Sequence, residues 1–365
     1  VVDDDGDMRH AVGRVLGSRY HVEGFARPAD ALAAALDFQP DLALLDVRMP
    51  DMDGYALLDA LRRVVPGVDA IFMTGSVHET DRQLIRAVRE RAFYFLTKPF
   101  DRDVLLTLVE RCLELRTLQQ AEARHRARME RELREARAFQ RGLLPPAQAS
   151  LGSVAVACRW LPSTEVGGDL FDYVATRDGA LLLLADVSGH GTSAAMLTGT
   201  VKSAFHSGVA ASTELLPVVH RILDAVRLLA PERYVTAIVA RVRDGTLEYV
   251  NAGHPAGLVR RKTGAVDELE STGPILAPAF PITPRWEIAT TPIAAGDLVF
   301  LYSDGLTDCM SASVPGFFEP ERLMSVVREA GSALDAVTRV EAALEAFRDG
   351  RPLEDDVTLL AAERI

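Results

Sequence analysis

The sequence predicts three architectures in succession: a doubly wound α/β domain, a long helical linker and a layered α+β sandwich. Three observations carry this reading. Over residues 1–103 short apolar runs alternate with helix-like segments, the pattern of a parallel sheet covered by helices on both faces. From Val104 to Arg141 there is neither Gly nor Pro, so one uninterrupted helix is expected. Beyond it many β-like runs follow one another, with helical stretches in pairs, as in a sheet-on-sheet core flanked by helices.

In the first domain Val1-Val2 begins a strand, and further strands are expected at 42–45, 70–73 and 93–96. Helical stretches fall between them at 28–38, 54–64 and 79–91. Strands of such sheets present functional groups at their carboxyl ends. Here those ends carry Asp3-Asp4-Asp5, Asp46 and Thr74, and Lys98 follows the last strand. The linker, 104–144, keeps a three-four apolar spacing through Leu105, Leu108, Cys112 and Leu115, resumed at Met129, Leu133 and Ala136. Its mixed charges suit the flanks of a coiled coil. A solvated spacer would look similar, but a lone polar helix of this length is marginal, which favours a dimerisation helix. Gly142 and Pro145-Pro146 end it. The remaining domain, 145–365, is expected to hold strands at 154–160, 181–186, 234–242, 246–251, 256–260, 298–302 and 357–361. Its helices are expected at 192–208, 212–230, 319–330 and 333–348.

Size and composition bound the function. At 365 residues the chain fits two domains plus a connector. With 48% hydrophobic and 25% charged residues it has a globular composition. No apolar stretch reaches the eighteen or so residues that span a bilayer, and no signal-peptide pattern opens the chain. The first residues are Val1-Val2-Asp3 with no Met, so a few residues ahead of them are expected. Three cysteines, Cys112, Cys158 and Cys309, lack metal-ligand spacing, which points to a reducing cytoplasm. A net charge of −12 argues against a nucleic-acid surface, and no basic helix-turn-helix segment follows the first domain to make a DNA-binding regulator.

Four aspartates of the last 200 or so residues stand out: Asp169 in VGGDLFD, Asp186 in LLLLADVSGHG, Asp304 in LVFLYSDGLTD and Asp355 in EDDVTLL. Two of these motifs share a design, an apolar run followed by Asp and then Gly, which exposes the acid at a sheet edge. Carboxylates gathered at one edge repel unless a cation lies among them, and hard oxygen ligands suit Mg²⁺ or Mn²⁺. A metal-dependent hydrolase is the chemistry these residues imply.

VVDDD, LALLDVRMPDMDG, FMTG and FLTKPF, in that order, resemble the receiver (CheY-like) domain of bacterial response regulators over essentially all of 1–103. The resemblance implies a flavodoxin-like α/β doubly wound fold with Asp46 as phosphoacceptor from a sensor histidine kinase or phosphotransfer protein. It further implies that Asp4, Asp46 and the Arg48 carbonyl hold Mg²⁺, with Asp3 acting through water. Lys98 would pair with the phosphoryl oxygens, aimed by a cis bond to Pro99. Thr74 would hydrogen-bond the phosphoryl group and Phe95 would be the aromatic that follows Thr74. Taken singly, an Asp cluster after a strand could be helix capping and Lys-Pro an ordinary turn.

AFQRGLLPP, VGGDLFD, LADVSGHGTSAAM, YVNAGHPAGLV, STGPILA, GDLVFLYSDGLTD and EDDVTLL resemble the PPM serine/threonine phosphatases, specifically the bacterial SpoIIE-like branch. The resemblance covers 138–365 and implies a four-layer αββα sandwich. It implies two Mn²⁺ or Mg²⁺ ions bridged by Asp186, one of them also held by the Val187 carbonyl, with Asp304 and Asp355 on the second. Asp169 would lie close by, and Asp356 is the alternative to Asp355. Two such ions activate water for in-line attack on phosphorus. His190 is a candidate general acid, although a Gly-flanked His also suits a plain turn. Asn251 and His254 are expected to shape a turn beside the site. GDLFD and TDC depart from the branch's usual GDFYD and TEA-like endings without removing a metal carboxylate. The implied substrate is phosphoserine or phosphothreonine on a regulatory protein such as an anti-sigma-factor antagonist. The competing reading is a non-catalytic adaptor, switched by phosphorylation, which retention of Asp186, Asp304 and Asp355 disfavours.

Overall fold

The structure, a computed structural model, describes residues 1–75, 94–189, 191–278 and 284–365. The chain divides into two compact units, Val1–Met129 and Glu130–Ile365.

In the first unit, helices α1 (Gly6–Leu16), α2 (Pro28–Phe38) and α3 (Gly54–Val64) accompany strands β1 (Leu42–Asp46), β2 (Asp69–Thr74) and β3 (Tyr94–Thr97). The strands pair in parallel in the order β1-β2-β3, and Val2 adds a parallel bridge to Leu45. One face of the sheet packs Leu45, Phe72, Leu57 and Leu58. The other packs Leu44, Ile71, Met73, Val12 and Leu16. Alternate residues of β1 and β2 thus serve opposite cores, which is why these strands read as unbroken apolar runs. The sequence reading named no helix at 6–16. It exists because Asp5 caps it, its carboxylate accepting from the amides of Asp7 and Met8. The helix expected at 79–91 lies outside the described residues.

Helix α4 (Arg102–Leu143) runs 42 residues. Its first turns bury Leu105, Val109 and Cys112 in the first unit. Exposed pairs along it, Arg111–Glu114, Arg126–Glu122 and Arg134–Glu130, each contribute only about 0.3–0.5 kcal/mol.

The second unit stacks two antiparallel sheets. One runs β11 (Val266–Leu269), β10 (Gly257–Arg260), β13 (Leu298–Tyr302), β14 (Val357–Arg364), β5 (Val154–Leu161), β4 (Gln148–Leu151). The other runs β12 (Ala289–Pro292), β9 (Thr246–Ala252), β8 (Val235–Arg243), β7 (Gly179–Val187), β6 (Asp169–Thr176). Leu182 and Leu184 of β7 face Val299, Leu301 and Leu360 between the sheets. Leu181, Leu183 and Ala185 point instead at α5 (Thr192–Ala211) and α6 (Leu215–Leu229). On the outer face of the first sheet, Phe300 and Tyr302 pack against α8 (Pro320–Arg328) and α9 (Ala333–Arg348). Three apolar interfaces therefore separate four layers, helix, sheet, sheet, helix. A short helix α7 (Asp304–Thr307) follows β13. No helix among the described residues is long and apolar enough to cross a membrane.

Candidate functional site

In the first unit the aspartate run divides its labour. Asp5 caps α1, Asp4 is exposed, and Asp3 is fully buried. Lys98 Nζ lies 2.7 Å from both Asp3 Oδ2 and Asp46 Oδ1. Carboxylate oxygens of Asp3, Asp4 and Asp46 all fall within 4.8 Å of one another, so the donor set fits a small hard cation. Burial raises the Asp46 carboxyl above the ordinary range, and Lys98 offsets part of that rise. For Lys98 burial works toward deprotonation, but the hydrogen bonds its ammonium donates to Asp3 and Asp46, with their charges, outweigh it and the pKa rises. The Lys98–Pro99 peptide is cis. Thr74 ends β2 and its carbonyl accepts from Lys98 N at 2.7 Å. Phe95, half-buried on β3, stacks on Phe72 at 5.6 Å. Arg48 is exposed two residues after Asp46.

In the second unit Asp169 and Asp186 sit directly opposite across β6 and β7. Like charges in that relation repel. Burial, then Asp304, Asp355 and Asp356, push the Asp186 carboxyl up to about 7. Burial and then Asp355 raise Asp304. Asp169, 2% exposed, is raised well above its ordinary value by burial first and Asp186 second. Among the described residues no basic side chain forms an ion pair with Asp169, Asp186 or Asp304. Such a concentration of acid without a counter-charge fits divalent cations.

The adjacent acids Asp355 and Asp356 differ in what their oxygens do. Asp356 Oδ1 accepts from Ser163 N and Oγ at 2.8 and 3.1 Å, and Oδ2 accepts from Gly168 N at 2.7 Å. Asp355 is exposed and its Oδ1 accepts from Asp356 N at 2.8 Å. Asp169 Oδ2 accepts from Ser303 Oγ and Thr358 Oγ1, both at 2.6 Å. The glycines ahead of it have no room for a side chain. A Cβ on Gly167 would lie 2.1 Å from Asp356 Oδ2, and one on Gly168 would lie 2.7 Å from the Val187 carbonyl oxygen. His190 lies outside the described residues.

Asn251 and His254 are buried behind the site. Asn251 Oδ1 accepts from His254 N at 2.8 Å, and His254 Nδ1 meets Thr236 Oγ1 at 2.8 Å. Among the described residues His254 Nε2 has no well-formed hydrogen-bond partner. Burial therefore pulls this imidazole down to about 3, with the Tyr302 backbone offsetting only part of it. The folded pKa lies below the unfolded one, so the unfolded chain binds the extra proton and stability falls as pH drops below about 6.5. By pH 5 the loss from this residue is expected to be about 2 kcal/mol. Urea unfolding at pH 7 and pH 5 checks it: His254→Gln should lose less than wild type between the two, and an identical loss would remove His254 from the account.

Several residues around the site carried no role in the sequence reading. Asp172, 1% exposed, accepts from Lys202 Nζ and approaches His206 Nε2 at 2.9 Å, which ties β6 to α5. The i, i+4 spacing of Lys202 and His206 was the available signal. Ser163, Ser303 and Thr358 had none, because small hydroxyl residues become informative only through their partners. Gln140 is buried at the end of α4 and bonds to Gly167.

Residues 176–365 match the family described as stage II sporulation protein E (SpoIIE), and residues 1–110 match the response regulator receiver domain. The DNA-binding transcriptional regulator NtrC of Proteus hauseri is 38% identical over 114 residues, 31% of this chain and 24% of that protein. Protein IcfG of Synechocystis sp. is 27% identical over 268 residues, 64% of this chain and 41% of IcfG. The chain thus spans about a quarter of the length of the first and under half of the second. Among solved structures, the SiaA-PP2C domain of Pseudomonas aeruginosa superposes with a TM-score of 0.59 at 24% identity, covering 66% of this chain and 98% of that one. At that identity the likeness shows the fold.

Proposed function

Because the chain belongs to the SpoIIE family, with a response-regulator receiver domain ahead of its phosphatase fold, we propose that it is a response regulator whose output is metal-dependent phosphoprotein dephosphorylation. The observation that carries the reading is the acid cluster around Asp186, whose carboxyl is pushed up to about 7 by burial and then by Asp304, Asp355 and Asp356. An adaptor that had given up catalysis would have no physical reason to keep that repulsion.

Asp186, the Val187 carbonyl, Asp304 and Asp355 would hold two Mn²⁺ or Mg²⁺ ions, with Asp169 nearby. When bound, such a pair supplies a nucleophile at neutral pH and charge neutralisation at phosphorus. Asp355 is preferred to Asp356 as a direct ligand, since both Asp356 oxygens are spent on Ser163 and Gly168. Ser303 and Thr358 fix the rotamer of Asp169, and Asp356 holds the Gly168 amide, so the acids are presented in one arrangement before substrate arrives. Attack in line breaks the bond from phosphorus to the serine or threonine oxygen, which leaves with a proton. His190 is a candidate to deliver that proton. The substrate proposed is a phosphoserine or phosphothreonine on a regulatory protein of the anti-sigma-factor-antagonist kind.

In the receiver, Asp46 would accept the phosphoryl group from a histidine kinase or phosphotransfer protein while Lys98 pairs with the phosphoryl oxygens. Asp4, Asp46 and the Arg48 carbonyl would hold Mg²⁺, with Asp3 acting through water. Movement of Lys98 away from Asp3 toward the new group, with Thr74 and Phe95 following, would bias the receiver face and α4. Dimerisation through α4 and a cytoplasmic location belong to the same proposal. Phosphate release from phosphorylated candidate antagonists, with Mn²⁺ and with or without a small phosphodonor, tests it. A chain that released none under any of these conditions would leave the adaptor reading standing.

A further inference from the structure

Gln140 is 3% exposed, although Phe139 beside it is 72% exposed and residues 121–132 of the same helix are exposed throughout. Its amide meets one backbone residue twice. Oε1 accepts from Gly167 N at 3.0 Å, and Nε2 donates to Gly167 O at 2.6 Å. Nε2 also reaches Thr198 Oγ1 on α5 at 3.4 Å. A side-chain amide offers a donor and an acceptor side by side, so it can replace a neighbouring strand as partner for the N–H and C=O of one residue. Glu, Leu or Met of similar length cannot satisfy both groups.

What Gly167 leads to gives this contact its weight. Gly168 N donates to Asp356 Oδ2 at 2.7 Å, and Gly168 O accepts from Val187 N at 3.2 Å. The next residue, Asp169, opens β6 opposite Asp186. The turn is therefore gripped at Gly168 by the strand that carries Asp186 and by Asp356, and at Gly167 by the last turns of α4. Releasing the Gly167 grip lets the turn relax while leaving every carboxylate in the chain.

We propose that Gln140 is a positioning residue for the phosphatase metal site: by pairing with both backbone groups of Gly167 it sets the path of the Gly167–Asp169 turn and thereby the affinity of the site for divalent metal. The end of α4 then acts on catalysis through metal occupancy. This rests on the two-metal reading above.

The test uses the full chain and Mn²⁺ alone as probe, with affinity read by titration calorimetry and exchange of the Gly167 amide read by NMR. Gln140→Leu should bind Mn²⁺ about 10- to 100-fold more weakly, with faster Gly167 exchange. Its phosphatase kcat should return to within a few-fold of wild type once Mn²⁺ saturates. Gln140→Glu keeps the acceptor for Gly167 N and loses the donor to Gly167 O, so it should also bind Mn²⁺ more weakly. It stands in if the leucine variant does not fold. Wild-type Mn²⁺ affinity in a folded variant, even with a lowered melting temperature, would overturn the proposal and leave Gln140 merely structural. Failure of the wild-type chain to bind Mn²⁺ at all would overturn the two-metal reading and this proposal with it.

Discussion

Asp186→Asn is expected to lower phosphate release by on the order of 10³-fold while making the metal-free protein more stable. The two effects share one cause. Burial, and then the charges of Asp304, Asp355 and Asp356, raise the Asp186 carboxyl to about 7. A folded pKa above the unfolded one means that stability is fully present below about pH 3.8 and is lost as pH rises through about 7. At pH 8 without metal the wild type carries that penalty and the amide does not, so the variant should be more stable by on the order of 2 kcal/mol. Mn²⁺ should raise the wild-type melting temperature by binding the folded state and should raise that of the variant far less. Activity assays and thermal melts at pH 8, each with and without Mn²⁺, read all of this. Full activity in Asp186→Asn would remove it from the centre of the reaction.

The second large effect is expected at the other acidic pocket. Asp46→Asn should abolish phosphoryl incorporation from a small phosphodonor, because the only change is loss of the carboxylate that attacks phosphorus. The phosphatase rate of that variant should then ignore the donor, in whichever direction the wild type responds. Lys98→Ala should cost stability as well, about 3 kcal/mol, since it strips its Lys98 partner from Asp3, which is fully buried. Intact-mass measurement after donor treatment and urea unfolding check the two. A donor response that persisted in Asp46→Asn would place the phosphoacceptor elsewhere.

Much of the fold was legible in order. The helices at 28–38, 54–64 and 333–348 fall where the sequence placed them, and the strands around Asp46, Asp186 and Tyr302 were visible as apolar runs. The strands it left out in the second unit, β4, β6, β11 and β12, are the four edge strands of the two sheets. A central strand buries both faces and needs a continuous apolar run, whereas an edge strand such as Ala289–Pro292 is half exposed and reads as a loop; β6 is mostly buried, but its run is interrupted by the buried Asp169 and Asp172. The break of α4 was announced by Gly142 and Pro145, and it ends at Leu143.

The site shows the same division. The sequence by itself determined which acids are available, because an Asp after an apolar run and before a glycine is a local statement about one strand end. It could not say which oxygens are already spent. Asp355 and Asp356 are neighbours in the chain and alike in chemistry, yet one is exposed and the other is consumed by Ser163 and Gly168, 193 and 188 residues away. Gln140 looks like one more polar residue of a polar helix until its amide is found against Gly167, 27 residues on. Hydrogen bonds of that kind depend on where two distant segments cross, so only the tertiary structure decided them. Backbone partners impose no pattern on the residues that meet them.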